Sequence, residues 1–183
     1  MKKVVLTIIV LCCYGFAFAQ KNVEISEPVL PIDEDTKLIT YQDVIHEKGT
    51  PQVLFDRAKI WIKDYYKNTA EIIKKEDRAT GVIEMRSSVR IFTKLKDGTQ
   101  QMKNIVYYQF KLECRQDRYR YTITNFNERA SSASPIEVWF KKDAPLWSPS
   151  CYDYLNQVDE QIRQLIESLE EGMLPKVEKV DEW

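Results

Sequence analysis

The stretch Ile105–Phe126, IVYYQFKLECRQDRYRYTITNF, decides the fold of this chain. Alternate residues in each half are apolar or aromatic: Val106, Tyr108, Phe110, Leu112 and Cys114 in the first half, and Tyr119, Tyr121 and Ile123 in the second. This period of two predicts two strands, Ile105–Arg115 and Arg118–Phe126, each with one buried face. The polar pair Gln116 and Asp117 between them predicts a tight turn, and therefore an antiparallel hairpin.

Three further strands are predicted upstream of this hairpin. Val82–Lys94 alternates apolar and polar residues in the same way, and the pair Asp97-Gly98 that follows is a strong hairpin-turn signal. Leu38–His46 also alternates, but Asp43 interrupts its apolar face, which favours an edge or twisted strand. Glu71–Glu76 is predicted as a short strand.

The first predicted helix begins at Pro51. Thr50 before it is a suitable N-cap, and proline is favoured at the first helical position. The apolar residues that follow recur at helical spacing, and their stripe is typical of a core-facing surface: Leu54, Phe55, Ala58, Trp61, Ile62, Tyr65 and Tyr66.

The second predicted helix is Cys151–Glu171. Ser150 and Asp153 resemble a capping box at its start, and Gly172 suits a C-cap at its end. Its apolar stripe consists of Leu155, Val158, Ile162, Leu165, Ile166 and Leu169. Isolated helices of this length are marginal in water, so we expect this stripe to pack on the sheet.

These elements follow one another in the order β-α-β-β-β-β-α, which predicts an α+β domain. Its antiparallel, curved sheet carries both helices on one face. The other face is predicted to be polar and to stay wet or to meet a partner, and it carries Arg86, Arg90, Gln109, Lys111, Arg118 and Arg120.

Residues 1–19 have the pattern of a secretory signal peptide. Lys2 and Lys3 precede an apolar run, and Ala17-Phe18-Ala19 gives a small-residue cleavage site. We expect cleavage after Ala19 and a periplasmic, envelope-associated or secreted protein with no transmembrane segment left. An extended arm (20–37), a single domain (38–172) and a charged tail (173–183) would follow. A membrane anchor needs a longer apolar run, and a lipoprotein signal needs a small residue before its cysteine.

Charge and motif content exclude several classes of function. The whole chain has a net charge of −1, and loss of Lys2 and Lys3 makes it −3, which argues against a nucleic-acid partner. His46 is the only histidine, so a multi-histidine metal site is excluded, and beside Glu47 it is interpreted as a surface residue. The five glycines form no phosphate-binding loop. We therefore expect no catalytic residues, no metal and no cofactor.

The connection 127–149 is unusually apolar. Ile136–Lys141 is predicted as a short strand inside it. Trp139, Phe140 and Trp147 either close one end of the core or form a partner-binding loop, and packing is favoured because buried aromatic rings mostly serve packing.

Cys114 and Cys151 are the cysteines that remain after signal cleavage. Cys114 shares its strand face with Phe110, and Cys151 begins the helix expected to cover that face. In an exported protein this placement predicts a disulfide, while two free buried thiols remain the alternative.

Four segments carry a resemblance to a known family: Pro31–Tyr41, Phe55–Trp61, Gly81–Ile83 and Tyr119–Phe126. Together they resemble an uncharacterised exported family from Bacteroidota, a domain of unknown function with a TATA-box-binding-protein-like fold. The resemblance implies that fold, close to helix-grip folds, and a location in the envelope. It implies no activity and no site residues, and the fold name does not imply DNA binding.

Three functions remain open at this level. The first is a non-catalytic binding or envelope-associated module that holds a peptide, a glycan or another envelope protein. The second is a carrier of a small apolar ligand between the sheet and Trp61, Tyr65 or Ile162, which needs a pocket of about 300 Å³ or more. The third is a carboxylate-dependent hydrolase, which needs two converging carboxyl groups.

Overall fold

The computed structural model describes residues 26–128 and 134–175 of the chain. The predicted signal peptide and most of the charged tail lie outside the described residues. The described residues form an α+β fold built on one antiparallel sheet, as predicted.

The sheet has five strands in the spatial order β1-β5-β4-β3-β2. Their bounds are Tyr41–Ile45 (β1), Ile73–Asp77 (β2), Val82–Lys94 (β3), Gln100–Arg115 (β4) and Arg118–Asn127 (β5). β1 lies at one edge, as its interrupted apolar pattern indicates. Register shifts at three strand pairs mark bulges, which bend a sheet.

The central hairpin is confirmed. β4 and β5 pair antiparallel with Phe110 opposite Ile123 and Leu112 opposite Tyr121. All four side chains are buried, because they share the face that the helices cover. Asp117 turns the chain with a φ of 54°, and it accepts a hydrogen bond from the Gly49 amide at 3.0 Å through Oδ1.

Within the described residues, three α-helices accompany the sheet, at Pro51–Tyr65 (α1), Thr69–Ile72 (α2) and Ser150–Met173 (α3). Thr50 caps α1 as predicted, since its side chain accepts from the Val53 amide at 3.3 Å. The single-turn α2 takes residues that were predicted to begin a strand, so that β2 starts only at Ile73.

The core lies between one face of the sheet and the helices α1 and α3. It contains residues from both helices and from the inner face of β3, β4 and β5, and those that are entirely inaccessible include Leu54, Ile62, Ile83, Leu112, Ile123, Phe126, Leu155 and Ile162. Full burial of one such aliphatic side chain stabilises the fold by about 1.5–3 kcal/mol before entropy costs. Trp61 also joins the two helices, because its Nε1 donates to Ser168 Oγ at 3.1 Å.

The predicted caps of α3 are wrong at both ends. Pro149 occupies the N-cap position with no side-chain hydrogen bond, and the Asp153 carboxylate accepts from Gln157 Nε2 at 2.9 Å instead of completing a capping box. At the other end the helix continues through Gly172 to Met173. Gly172 is needed for space, since a Cβ there would lie 2.5 Å from Trp61 Cδ1.

The predicted strand Ile136–Lys141 is also wrong. Ile136–Phe140 forms a 3₁₀ helix. Residues three apart share a face in such a helix, which places Ile136 and Trp139 together on the core. Glu137 holds it in place, because its Oε1 accepts from the Ile39 amide at 2.8 Å.

The segment before β1 packs more closely than the predicted extended arm. Leu30 and Ile39 are buried, and Ile32 and Ile39 form an isolated antiparallel bridge. Asp33 turns the chain by accepting from the Thr36 amide at 2.8 Å. No helix within the described part of the chain is long and apolar enough to cross a membrane.

Candidate functional site

The face of the sheet that carries no helix, called the open face below, places polar side chains in rows across three strands. Strand pairing aligns Arg86 (β3), Gln109 (β4) and Thr124 (β5) in one row. The next row contains Glu84, Lys111 and Thr122. Side chains alternate between the two faces of a strand, so these rows face away from the core.

A cleft of about 490 Å³ lies over these two rows. This volume is within the range of about 300–1,000 Å³ found for small-molecule sites. The cleft is lined by Lys74, Glu84, Met85, Arg86, Gln109, Phe110, Lys111, Thr122 and Thr124. Its volume exceeds the value of about 300 Å³ required for a ligand carrier, but it lies on the open face of the sheet and not between the sheet and the helices.

The cleft is predominantly cationic. Lys74, Arg86 and Lys111 bring three positive charges to its lining, and Glu84 brings one negative charge. The Arg86 guanidinium carbon lies 5.9 Å from the centre of the Tyr107 ring, which is a cation–π distance. Lys74 Nζ donates to the Glu71 carbonyl at 2.6 Å, and that contact involves no carboxylate.

Short hydrogen bonds fix the neutral polar groups at the end of the cleft nearest β1. Thr122 Oγ1 donates to Gln42 Oε1 at 2.9 Å, and the hydroxyls of Thr124 and Thr40 lie 2.9 Å apart. Gln109 Oε1 accepts from Asn125 Nδ2 at 2.8 Å. This hydrogen bond to Oε1 fixes the orientation of the Gln109 side-chain amide, and its nitrogen can donate to a ligand.

A second, smaller depression of about 220 Å³ adjoins the turn between β4 and β5 on the open face. Its carboxylate, Glu113, lies between two cations, with Lys111 Nζ at 3.3 Å and Arg120 Nε at 2.9 Å. Burial acts to raise the pKa of Glu113, but hydrogen bonds from Arg120 and Lys111 outweigh it and lower the pKa. Glu113 thus stays ionised and holds the two cations beside it. A general acid would instead need to be protonated.

The aromatic residues of the loop before α3 pack on the core. Trp139 is 9 % exposed, and Phe140 and Trp147 are partly buried against the core cluster. Trp147 Nε1 donates to the Trp139 carbonyl at 2.9 Å. Its ring meets Tyr152 edge-on at 5.5 Å between centroids. These contacts favour the packing interpretation over a partner-binding loop.

The structure does not contain the predicted disulfide, since Cys114 and Cys151 are free, buried thiols. Both lie in the core, in agreement with the alternative that the sequence left open. Cys114 belongs to β4, where its amide donates to the Gly81 carbonyl at 2.8 Å. Burial raises the pKa of the Cys114 thiol to about 12, which keeps it protonated at neutral pH.

The described residues offer no metal site, since 26–128 and 134–175 contain no group of three or more His, Cys, Asp or Glu side chains placed to hold an ion. His46 is exposed, as the sequence indicates. Where the pKa of a carboxyl group in these ranges departs from its ordinary value, it is lowered.

The sequence predicted some of the residues that line the cleft of about 490 Å³ on the open face, but not all of them. Alternation in β3 and β4 identified Arg86, Gln109 and Lys111 as open-face residues. Lys74 was missed because its side chain reaches the cleft from a bulged edge strand, where the register shifts between Ile73 and Lys75. Thr122 and Thr124 have neutral side chains, so charge patterning gave no signal for them.

Comparisons with known proteins add a family and a fold. Residues 41–129 match a family described as a domain of unknown function (DUF4468) with TBP-like fold. A TBP-like protein from Parabacteroides distasonis aligns with 13 % identity and a TM-score of 0.58, over 74 % of this chain and 92 % of its own. A DUF4468 family protein from Bacteroides ovatus aligns with 13 % identity and a TM-score of 0.59, over 82 % of this chain and 94 % of its own. No curated protein matches the chain.

Proposed function

We propose, from the premise that residues 41–129 belong to the DUF4468 family of TBP-like folds, that this chain is a non-catalytic binding module of the cell envelope. Its ligand carries carboxylate groups and lies on the open face of the sheet. The observation that carries the proposal is the cleft of about 490 Å³ whose lining has three cations and one anion.

The chemistry of the cleft suits a carboxylate-bearing ligand. Arg86 and Lys111 stand on neighbouring strands, one register row apart, so an extended ligand along the open face would bring its carboxylates to both rows, with Lys111 also 3.3 Å from Glu113. Gln109 adds a neutral donor between them. Acidic peptides and acidic glycans both carry such carboxylate groups, so the carboxylate is the chemistry that the two kinds of ligand share.

The export pattern of residues 1–19 supports the envelope location in this proposal. An extended, acidic ligand is accessible to a protein outside the cytoplasm, where acidic polysaccharides and secreted polypeptides occur. Mass spectrometry of the protein recovered from its cell envelope tests the location, with Gln20 expected as the first residue.

The two other functions find less support. Trp61 and Ile162 are packed, with 4 % and 0 % exposure. Tyr65, the third residue named for a carrier, does line a cleft of about 310 Å³, but the hydroxyl and amide groups of that lining do not suit an apolar cargo. A hydrolase needs a carboxyl group with a raised pKa as its acid. The open-face carboxylate with a shifted pKa, Glu113, has it lowered.

Titration calorimetry of the purified protein at low salt tests the proposal. The probes are poly-L-glutamate, polygalacturonate and a DNA duplex. We expect saturable binding of one of the two polycarboxylates, weakened by salt because the contacts are charged. Binding of poly-L-glutamate would indicate a peptide ligand, and binding of polygalacturonate a glycan. If the duplex binds more strongly than both polycarboxylates, the proposal is contradicted.

A matched pair of lysine variants locates the binding. Lys74→Ala removes a cation from the cleft, and Lys63→Ala removes an exposed cation from α1. We expect the first to weaken binding by about fivefold to tenfold, an effect within the range for the loss of one hydrogen bond, and the second to leave it unchanged. Equal effects of the two variants would show that the protein binds polyanions through its general charge.

A further inference from the structure

A second cleft lies on the helical side of the sheet, where the end of α1 meets β3, β4 and α3. It encloses about 310 Å³, and its lining includes Tyr65, Tyr66, Tyr108, Ser87, Gln161 and Gln164. Tyr108 and its cross-strand partner Ser87 point toward the helices, so this cleft is separate from the open face. We call it the tyrosine cleft.

The lining of the tyrosine cleft is polar but uncharged. Its nine residues comprise three tyrosines, two serines, two glutamines, a valine and a leucine. An ion transferred into such a site would lose hydration without gaining a counter-charge, which is costly. A purely apolar ligand would leave the hydroxyl and amide groups without partners, and this is also costly.

Three hydroxyls lie together in the lining of the cleft. Tyr66 Oη and Tyr108 Oη lie 3.2 Å apart, and Ser87 is part of the same lining. Burial raises the pKa of Tyr66 and of Tyr108, so both phenols stay neutral; one of them donates to the other, and the second keeps its proton for a ligand. Each hydroxyl can donate once and accept, which matches the hydrogen-bonding pattern of another hydroxyl.

The aromatic wall of the cleft is held in place before any ligand arrives. Tyr65 and Tyr66 meet edge-on at 4.8 Å between ring centroids, and Trp61 supports them at 5.4 Å and 6.0 Å respectively. Tyr65 is nevertheless 44 % exposed, which leaves a large part of its side chain accessible. A fixed, partly exposed ring is a suitable surface for the apolar C–H groups of a ligand.

The glutamines of α3 complete the set of groups. Gln161 Nε2 donates to the Arg90 and Gln157 carbonyls, both at 3.0 Å. Its amide hydrogens are thereby engaged, and Oε1 remains an acceptor. Gln164, one turn further on, contacts Glu160 Oε1 only at 3.5 Å, which is too long for a strong hydrogen bond.

We infer that the tyrosine cleft binds a neutral polyhydroxylated ligand, of the size of one or two sugar units. Sugar hydroxyls donate and accept in the same way as the Tyr66, Tyr108 and Ser87 hydroxyls. The C–H face of a sugar ring packs on Tyr65, and the neutral lining imposes no charge requirement. This site is independent of the carboxylate-binding site on the open face.

Saturation-transfer NMR on the purified protein tests this inference. The probes are maltose, cellobiose and lactose as neutral saccharides, and glucuronate as an anionic comparison. We expect transfer to the ring C–H protons of at least one neutral saccharide, with a weaker signal for glucuronate. Tyr65→Ala is expected to reduce the affinity for that neutral saccharide about tenfold, and Gln164→Ala about threefold to tenfold.

Tyr107→Ala is the matched control, because it removes a tyrosine from the open face instead. It should leave saccharide binding unchanged, and a denaturation curve for each variant checks that the fold is retained. Absence of transfer to all three neutral saccharides would overturn the inference. So would a Tyr65→Ala variant that binds as tightly as the unmodified protein. Neither result would affect polycarboxylate binding at the open face.

Discussion

Gly172 is required for packing, although a glycine at such a position in the sequence indicates the end of a helix. It lies inside α3, and the Trp61 ring occupies the space that a side chain would need. In sequence, a glycine near the end of a helical pattern followed by Pro175 indicates a C-cap. The tertiary contact that explains it comes from a helix more than a hundred residues earlier in the chain.

The first prediction concerns Gly172→Ala. Alanine usually stabilises a helix by about 1 kcal/mol relative to glycine. Here the added methyl group would meet Trp61 Cδ1 at 2.5 Å, so we expect the free energy of unfolding to fall by about 1–3 kcal/mol. Urea denaturation measures it, with Glu171→Ala as the exposed control. A gain in stability would contradict the close approach.

The second prediction concerns the thiols of Cys114 and Cys151. Burial of both, with the raised pKa of Cys114, predicts that iodoacetamide at pH 8 leaves the native protein unmodified. In a chain that begins at Gln20, and so lacks Cys12 and Cys13, denaturant without reductant should then expose two alkylatable thiols. A mass lower by two hydrogens, with no alkylation after denaturation, would show the disulfide that the sequence suggested.

Among the elements, long patterns were predictable and short ones were not. The alternation in β3, β4 and β5 and the apolar stripe of α3 each extend over ten residues or more, so the pattern fixes both the type of element and its buried face. Ile136–Phe140 has only five residues, and its apolar composition fits a strand as well as a 3₁₀ helix. The contact of Glu137 with Ile39, which favours the helix, is invisible in the local sequence.

The third prediction tests the packing of α3. Leu155→Ala removes a side chain with 0 % exposure, and Leu146→Ala makes the same chemical change at 94 % exposure. We expect the first to lower the free energy of unfolding by about 2–5 kcal/mol, because it leaves a cavity in the core. The second should change it by less than about 0.5 kcal/mol. Similar small losses in both would mean that α3 does not cover the sheet.

At the scale of the whole molecule, the sheet separates two unlike environments. One face is buried under α1 and α3, and the other carries the cationic cleft. The division into an apolar and a polar face was predictable, because strand alternation assigns every residue to a side. The clefts were not, because they depend on bulges, on the bend of the sheet and on the meeting of α1 with α3.

The same limit applies to function. The open-face cations stood out as charges in the sequence. The tyrosine cleft instead combines Tyr65, Tyr66 and Tyr108, which the strand and helix patterns assign to buried faces, with the glutamines of α3, which the patterns assign to no face of the core. Tyr65 and Tyr66 belong to an apolar stripe, and their exposed parts become apparent only once Gln161 and Gln164 stand opposite them. Sequence patterns identify buried faces more readily than the openings between them.

The most direct test of the central claim, that the open face of the sheet is the binding surface, is a two-dimensional NMR titration of the isotope-labelled protein with the polycarboxylate that binds. The account predicts saturable amide shifts along 84–86, 109–111 and 122–124, reversed by salt. Shifts confined to α1 and α3, or no shifts at saturating ligand, would contradict it.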